Sequence, residues 1–212
     1  PLSRIEISMM ASLAVDRYCP SCGSPLSERL LDHRTRRVCP SFGRVQWRNA
    51  IPCAGALILR NGKVLLIRRT IEPFVDYWDI PGGFCEVDEH PAQAALREVW
   101  EETGLEIELT DLLGLWLDEY AGSTTLNIYY LARPLTRRLR IGDDAGGAAW
   151  FTASALPQRI AFANGRLALE AWASGSRTPL HLRGVPSPWV PPGIGYASAA
   201  SASERDSSLV GI

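Results

Sequence analysis

The chain has 212 residues, 46% of them apolar and 21% charged, with five cysteines and a formal net charge of −1. That apolar content allows one substantial core and a small appendage, while near-neutrality argues against a general nucleic-acid binder, which carries a basic surplus. No run approaches the roughly 18 apolar residues that span a membrane, and an odd number of cysteines fits a reducing, cytoplasmic compartment.

Residues 1–16 read as a disordered leader. Arg4 precedes a mildly apolar stretch from Ile7 to Val15. Glu6, Ser8 and Ser12 weaken that stretch as a signal peptide, and the Pro1 beginning leaves two readings open, a fragment or an extended reading frame with its start at Met9 or Met10. Residues 17–50 carry Cys19-Pro-Ser-Cys22 and, after sixteen intervening residues, Cys39-Pro-Ser-Phe42. Two Cys-x-x-Cys knuckles at this spacing resemble a zinc ribbon, in which four thiolates hold the ion. Phe42 stands where the fourth thiolate belongs. Three readings stay open: zinc held by Cys19, Cys22 and Cys39 with water or His33, a ribbon that has lost its zinc, or Phe42 as a single-base change. All three predict a small ribbon-like β module.

A domain over 51–177 follows. Apolar runs on either side of Asn61-Gly62 predict a β-hairpin from Ile51 to Arg69, with Cys53 a buried strand residue. A short strand over Trp78–Pro81 leads into residues 83–105, which read G-x5-E-x7-R-E-U-x-E-E-x-G-U with U apolar. Gly83, Glu89, Arg97, Glu98, Glu101, Glu102 and Gly104 fill every fixed place. At residue frequencies of roughly 7%, seven fixed positions coincide about once in 10^8 starts. Pro91 and Gly104 bracket a helix over Pro91–Thr103, with Ala92, Ala95, Leu96, Val99 and Trp100 as its core stripe. Glu98, Glu101 and Glu102 share another face. Like charges about 4 Å apart repel by roughly 4 kcal/mol at an effective dielectric near 20, so a cluster held against a folded body calls for a hard cation, magnesium or else manganese.

The segment resembles the signature of the Nudix hydrolases, which cleave nucleoside diphosphates linked to another group. That resemblance implies an α+β fold: a Nudix α/β/α sandwich with a mixed sheet, behind the small ribbon-like module. It also implies Glu98 and Glu102 as principal magnesium ligands, the carbonyl of Gly82 as another, and Glu101 as a further ligand or the base that deprotonates water. Arg97 is expected to orient the carboxylates, Glu89 to support the loop–helix junction, and Gly83 to let the backbone approach the diphosphate.

Two strands are expected over 106–120 and 123–133 around Ala121-Gly122, another over Ala148–Phe151, and a second helix over Phe162–Trp172 with Ile160, Leu167, Leu169 and Trp172 as apolar members. Trp116, Tyr120, Tyr129 and Phe74 are candidates to stack on a base, although aromatics in strands are commonly core. Arg68 and Arg69 are candidates to meet the diphosphate, and Asp118, Glu119, Asp143 and Asp144 to supply an extra acid. From residue 178 to 212 the composition turns rich in Pro, Ala and Ser, and a disordered tail is expected.

Zinc-ribbon Nudix proteins include NADH pyrophosphatases, but the Ser-Gln-Pro-Trp-Pro-Phe-Pro-like motif those carry is missing after Leu105. The layout is closer to members assigned to ADP-ribose or FAD. Resemblance implies a small-molecule substrate and a homodimer; nucleoside triphosphates, dinucleoside polyphosphates and non-catalytic sensing are the competing readings.

Overall fold

The computed structural model describes residues 17–120, 122–142 and 145–175. The leader, the tail, Ala121, Asp143 and Asp144 lie outside the described residues. The N-terminal module is a three-stranded antiparallel sheet in the order β1 (Ser27–Leu31), β2 (Arg34–Val38), β3 (Val45–Gln46). Asp32 and His33, both at positive φ, turn β1 into β2.

Seven strands build the second sheet: β4 (Ile51–Arg60), β5 (Lys63–Arg69), β6 (Trp78–Asp79), β7 (Gly82–Phe84), β8 (Ile107–Tyr120), β9 (Ser123–Pro134) and β10 (Ala145–Thr152). Its main path runs β10-β5-β4-β9-β8, and only β4–β9 is parallel, so the sheet is mixed. The β4–β5 hairpin turns on Asn61 (φ 53°) and Gly62 (φ 72°), the pairing of left-handed residues such a tight turn needs. Beyond the tip, where Leu59 faces Val64 and Arg60 faces Lys63, the two strands part. Residues 78–84 fill the gap, with β6 on β5 and β7 on β4. This split positions the site.

Helices α1 (Pro91–Thr103) and α2 (Ala163–Ala173) cover opposite faces of the sheet. Leu57, Val64, Leu66, Trp116 and Tyr129 pack under α2 with Ala168 and Leu169. Ala56, Ile58 and Leu65 pack on the other face with Val99, Leu105 and Ile107. Strands buried on both faces read as continuous apolar runs, as Ala54–Leu59 and Val64–Ile67 do. The sandwich implied by the resemblance is present.

His90 caps α1: its Nδ1 accepts from the Ala92 N–H at 3.1 Å, and Gln93 Oε1 accepts from the His90 N–H at 2.9 Å. Gly104 ends it at φ 67°. The buried stripe differs from the expected one. It comprises Ala94, Ala95, Val99 and Thr103, while Leu96 and Trp100 are 39% and 51% exposed. The helix is turned so that Glu98 and Glu102 lie against the sheet, and small residues let it come close to β4. Leu167 on α2 likewise points outward, and the buried side there includes Asn164 and Gly165. Among the described residues, no helix is long and apolar enough to cross a membrane.

Candidate active site

Where β4 and β5 part, backbone passes against backbone. A Cβ on Gly55 would lie 2.6 Å from the Pro81 carbonyl oxygen, and one on Gly82 would lie 2.6 Å from both the Ala54 oxygen and Gly55 Cα. A Cβ on Gly83 would lie 2.5–2.7 Å from the carboxylate of Glu98. The glycines therefore bring the loop directly onto the acidic side of α1.

Glu102 reaches inward, and its Oε2 accepts the Gly82 N–H at 3.0 Å. Burial pushes its carboxyl well above the usual range, and the neighbouring Glu98 and Asp79 push it further. Glu98 is raised too, chiefly by burial. Arg97 gathers the rest: Nη2 meets Glu89 at 2.6 Å, and Nη1 meets Glu98 at 2.7 Å and Glu101 at 3.1 Å. Its Nη2 also donates to the Phe84 carbonyl at 3.0 Å, tying helix to loop. That hydrogen bonding from Arg97 holds Glu89 below its ordinary range.

These groups open onto a cleft of about 500 Å3 lined also by Arg69, Asp79, Phe84, Asp118, Tyr120, Asn127, Phe162 and Asn164. Of the sequence candidates, Gly82, Gly83, Arg97, Glu98, Glu101, Glu102, Arg69, Tyr120, Tyr129, Asp118 and Glu119 come together there. Two do not. Trp116 is 5% exposed and packs in the core against Tyr129 at 5.7 Å, because its strand position faces α2. Arg68 points away, to the Gly146 carbonyl at 3.3 Å and Asp76 at 3.8 Å. Phe74 is not on the lining, but its ring meets that of Phe162 at 5.3 Å. Asp118 accepts the Asn164 N–H at 3.0 Å, which commits one of its oxygens to the start of α2.

Sequence reasoning missed Asp79, Phe84, Phe162, Asn127 and Asn164. Phe84, Tyr120 and Phe162 form a chain of rings with 5.9 Å between successive centroids. Asn127 shares a buried face of β9 with Thr125 and Tyr129. Polar residues alternating with apolar ones there signalled a cleft wall. Asp79 is 7% exposed and paired with Arg69 at 3.5 Å. Burial raises its carboxyl to about 6, although Arg69 opposes the shift.

The raised acids make a pH prediction. Between the unfolded value, 3.8, and about 6, the folded chain keeps a proton on Asp79 that the unfolded chain has lost. Stability therefore falls as pH rises through that window, by about 3 kcal/mol at about 1.4 kcal/mol per pH unit. Glu98 and Glu102 act in the same direction. In EDTA the melting temperature is expected to fall from pH 5 to pH 8, and the increment from added magnesium to grow over the same range. A magnesium increment independent of pH would refute it.

The donor set suits a hard cation: carboxylate oxygens of Glu98, Glu101 and Glu102, partly desolvated and like in charge. Their oxygens do not form a converged three-ligand group; the group that does, among the described residues, is Cys19, Cys22 and Cys39, with sulfurs all within 4.8 Å. The Cys22 and Cys39 sulfurs are 3.6 Å apart, against about 3.8 Å for the edge of a tetrahedron with 2.3 Å Zn–S bonds. Both knuckles fold alike. Cys19 N–H meets the Ser24 carbonyl at 2.8 Å and Cys39 N–H meets that of Arg44 at 2.8 Å, while Gly23 and Gly43 donate back to the Cys19 and Cys39 carbonyls. Phe42, 55% exposed, leaves the fourth corner without a protein ligand. His33 cannot supply it, because it lies at the far end of β2, about 16 Å away at 3.3 Å per residue. The three sulfurs fit a thiophilic ion incompletely. Phe42→Cys is expected to tighten zinc retention against a chelator by at least the roughly 100-fold that even an outer-shell partner can supply; equal zinc loss from both proteins would count against the site.

The family model of the NUDIX domain matches residues 50–172, over half of the chain. The chain belongs to the Nudix hydrolase family. An ADP-ribose pyrophosphatase of Methanocaldococcus jannaschii is 32% identical over 123 residues, covering 56% of this chain and 72% of that protein. An NAD-capped RNA hydrolase NudC of Pseudomonas aeruginosa is 29% identical over 145 residues, 67% of this chain and 50% of its own length. Among solved structures, a Nudix hydrolase from Nitrosomonas europaea superposes with a TM-score of 0.68 at 24% identity, covering 76% of this chain and 92% of that one, a likeness of fold. The Nudix match and the cleft occupy the same residues.

Proposed function

We propose that this Nudix hydrolase uses magnesium or manganese to cleave the pyrophosphate bond of a nucleoside diphosphate derivative, ADP-ribose or FAD. The products are a nucleoside monophosphate and the phosphorylated remainder. One observation carries the reading: two desolvated glutamates, Glu98 and Glu102, sit under a glycine crossing at the end of a cleft walled by aromatic rings.

Glu98, Glu102 and the Gly82 carbonyl would hold the ion, with Glu101 beside them. A divalent ion held there would screen the diphosphate and acidify a water molecule. The chain's own groups do the rest. Arg97 ties down Glu98 and Glu101 from 2.7 and 3.1 Å. Glu101, at the exposed rim, takes the proton of the attacking water. Gly83 leaves room for a phosphoryl oxygen beside Glu98. Arg69, held by Asp79 and by the Pro73 carbonyl at 3.1 Å, offers its guanidinium along the cleft to the second phosphate. Phe84, Tyr120 and Phe162 stack on the base, and the Asn127 and Asn164 amides present donors and acceptors to its edge.

The aromatic wall and the ADP-ribose-cleaving relative favour a nucleotide with a planar base and a second half-molecule over inorganic substrates. A panel of ADP-ribose, FAD, NADH and deoxynucleoside triphosphates with magnesium tests it. AMP from ADP-ribose or FAD is expected. Inorganic pyrophosphate from the triphosphates would move the assignment to that class, NADH turnover to the NADH pyrophosphatases, and tight binding without turnover to a sensor. Undiminished turnover in EDTA would overturn the metal-dependent mechanism.

A further inference from the structure

The near-zero charge of the chain conceals a segregation. Residues 17–50 hold seven arginines and two acids, five positive charges in excess, so the rest of the chain stands at −6 against −1 for the whole. Register sorts that charge by face. Arg29 lies directly opposite Arg36, and Leu31 opposite Arg34, so Arg29, Arg34 and Arg36 share one face of the three-stranded sheet. Glu28, opposite Arg37, is on the other. None of Arg29, Arg34 and Arg36 is paired with a carboxylate among the described residues.

Like charges directly opposite on neighbouring strands are unfavourable, so the Arg29–Arg36 pair works against the module unless an anion lies over it. A second observation concerns how Arg36 is held. The Arg36 Nε is buried with no hydrogen-bond partner, an arrangement that costs free energy while unmatched. Its guanidinium lies over the ring of Trp47, 4.4 Å from the centroid, just beyond β3. The order across the sheet is therefore Arg29, Arg36, Trp47. Trp47 is 56% exposed, with ring surface left for a further stack.

We propose that this face of the ribbon-like module binds single-stranded nucleic acid. The arginines would follow successive phosphates, and a base would stack on Trp47. Guanidinium groups suit phosphate oxygens, and an aromatic platform between them accepts any base. An acidic peptide would use the charges but not the indole. A free polyphosphate likewise has no ring to stack. The surface is separate from the catalytic cleft and does not depend on the hydrolytic assignment.

The test is anisotropy of a 5′-fluorescein oligouridylate of about 12 nucleotides, a span within the site sizes of such grooves, titrated with the full chain in EDTA. Saturable binding is expected, with log K falling against log salt at a slope of about −2, as three phosphate contacts to a single strand give. Arg29→Ala/Arg34→Ala, two exposed positions, should flatten the slope. Trp47→Ala should weaken binding by about 10-fold and leave the slope alone. Both variants should keep wild-type melting and hydrolysis, which separates a failed fold from a failed site. No saturable binding, or an unaltered slope in the double variant, overturns the proposal. So does equal competition by polyglutamate or tripolyphosphate together with indifference to Trp47→Ala, which would give the face to an acidic peptide or a free polyphosphate.

Discussion

Glu102→Gln is expected to make the metal-free protein more stable and nearly inactive. The Gly82 N–H donates to Glu102 at 3.0 Å, and a glutamine oxygen accepts the same bond. What the change removes is a carboxyl whose burial, beside Glu98 and Asp79, holds it well above its ordinary proton affinity. Above pH 4.5 the folded chain bears a cost for that group that the unfolded chain does not. The variant's advantage in EDTA should therefore be small near pH 4 and grow as pH rises, each kcal/mol shifting the melting temperature by about 2–4 °C at this size. Turnover should fall by about 10^3-fold or more, the scale of losing a group that acts on transition-state charge. Glu98→Gln should lose as much, and combining the two should cost little more, since both serve one ion. Equal melting in EDTA at pH 8, or turnover within 10-fold of wild type, would refute the assignment. Stability given up for a charged site is the usual bargain where acids must bind an ion.

That conflict also decides what was legible in the sequence. Helix α1 was readable to its ends, because Pro91 and Gly104 act locally. Its orientation was not. The apolar count placed Leu96 and Trp100 inward, whereas the acids needed at the cleft turn the helix and leave both exposed. The β4–β5 hairpin was fixed by Asn61-Gly62, again a local device. Its splaying around residues 78–84 depends on pairings far apart in sequence, so Asp79 and Phe84 were overlooked as cleft residues. Trp116 and Tyr120 lie on one strand and looked equally available. They share one face of it, and what separates core ring from cleft ring is that Trp116 packs with Ala168 and Leu169 of α2 while Tyr120 lies on the cleft lining. The signature reported the chemistry; the walls of the cleft come from long-range contacts that no short window records. Whole-chain charge hides distribution for a related reason, since summing over the chain cancels the basic excess of residues 17–50 against the acidic excess of the rest.

The glycine crossing offers the sharpest structural test. Gly82→Ala and Gly83→Ala look alike in sequence but should fail differently. At Gly82 the added Cβ meets main-chain atoms, the Ala54 oxygen and Gly55 Cα, both at 2.6 Å. Neither can swing aside, because Ala54 and Gly55 are paired with Gly83 and Gly82 across β4 and β7. The loop must lift from the sheet, at a cost of about 3 kcal/mol, the upper end for overpacking. The same movement draws the Gly82 N–H away from Glu102. At Gly83 the Cβ meets the end of the Glu98 side chain at 2.5–2.7 Å, which can rotate away. Gly83→Ala should melt within a few degrees of wild type yet lose turnover with Glu98 displaced from the ion, and raised magnesium should restore part of it. Thermal melts and magnesium titrations of both variants read these outcomes directly. If Gly82→Ala melted with the wild type, the close approach of β4 and β7 that seats the acids would not exist as described.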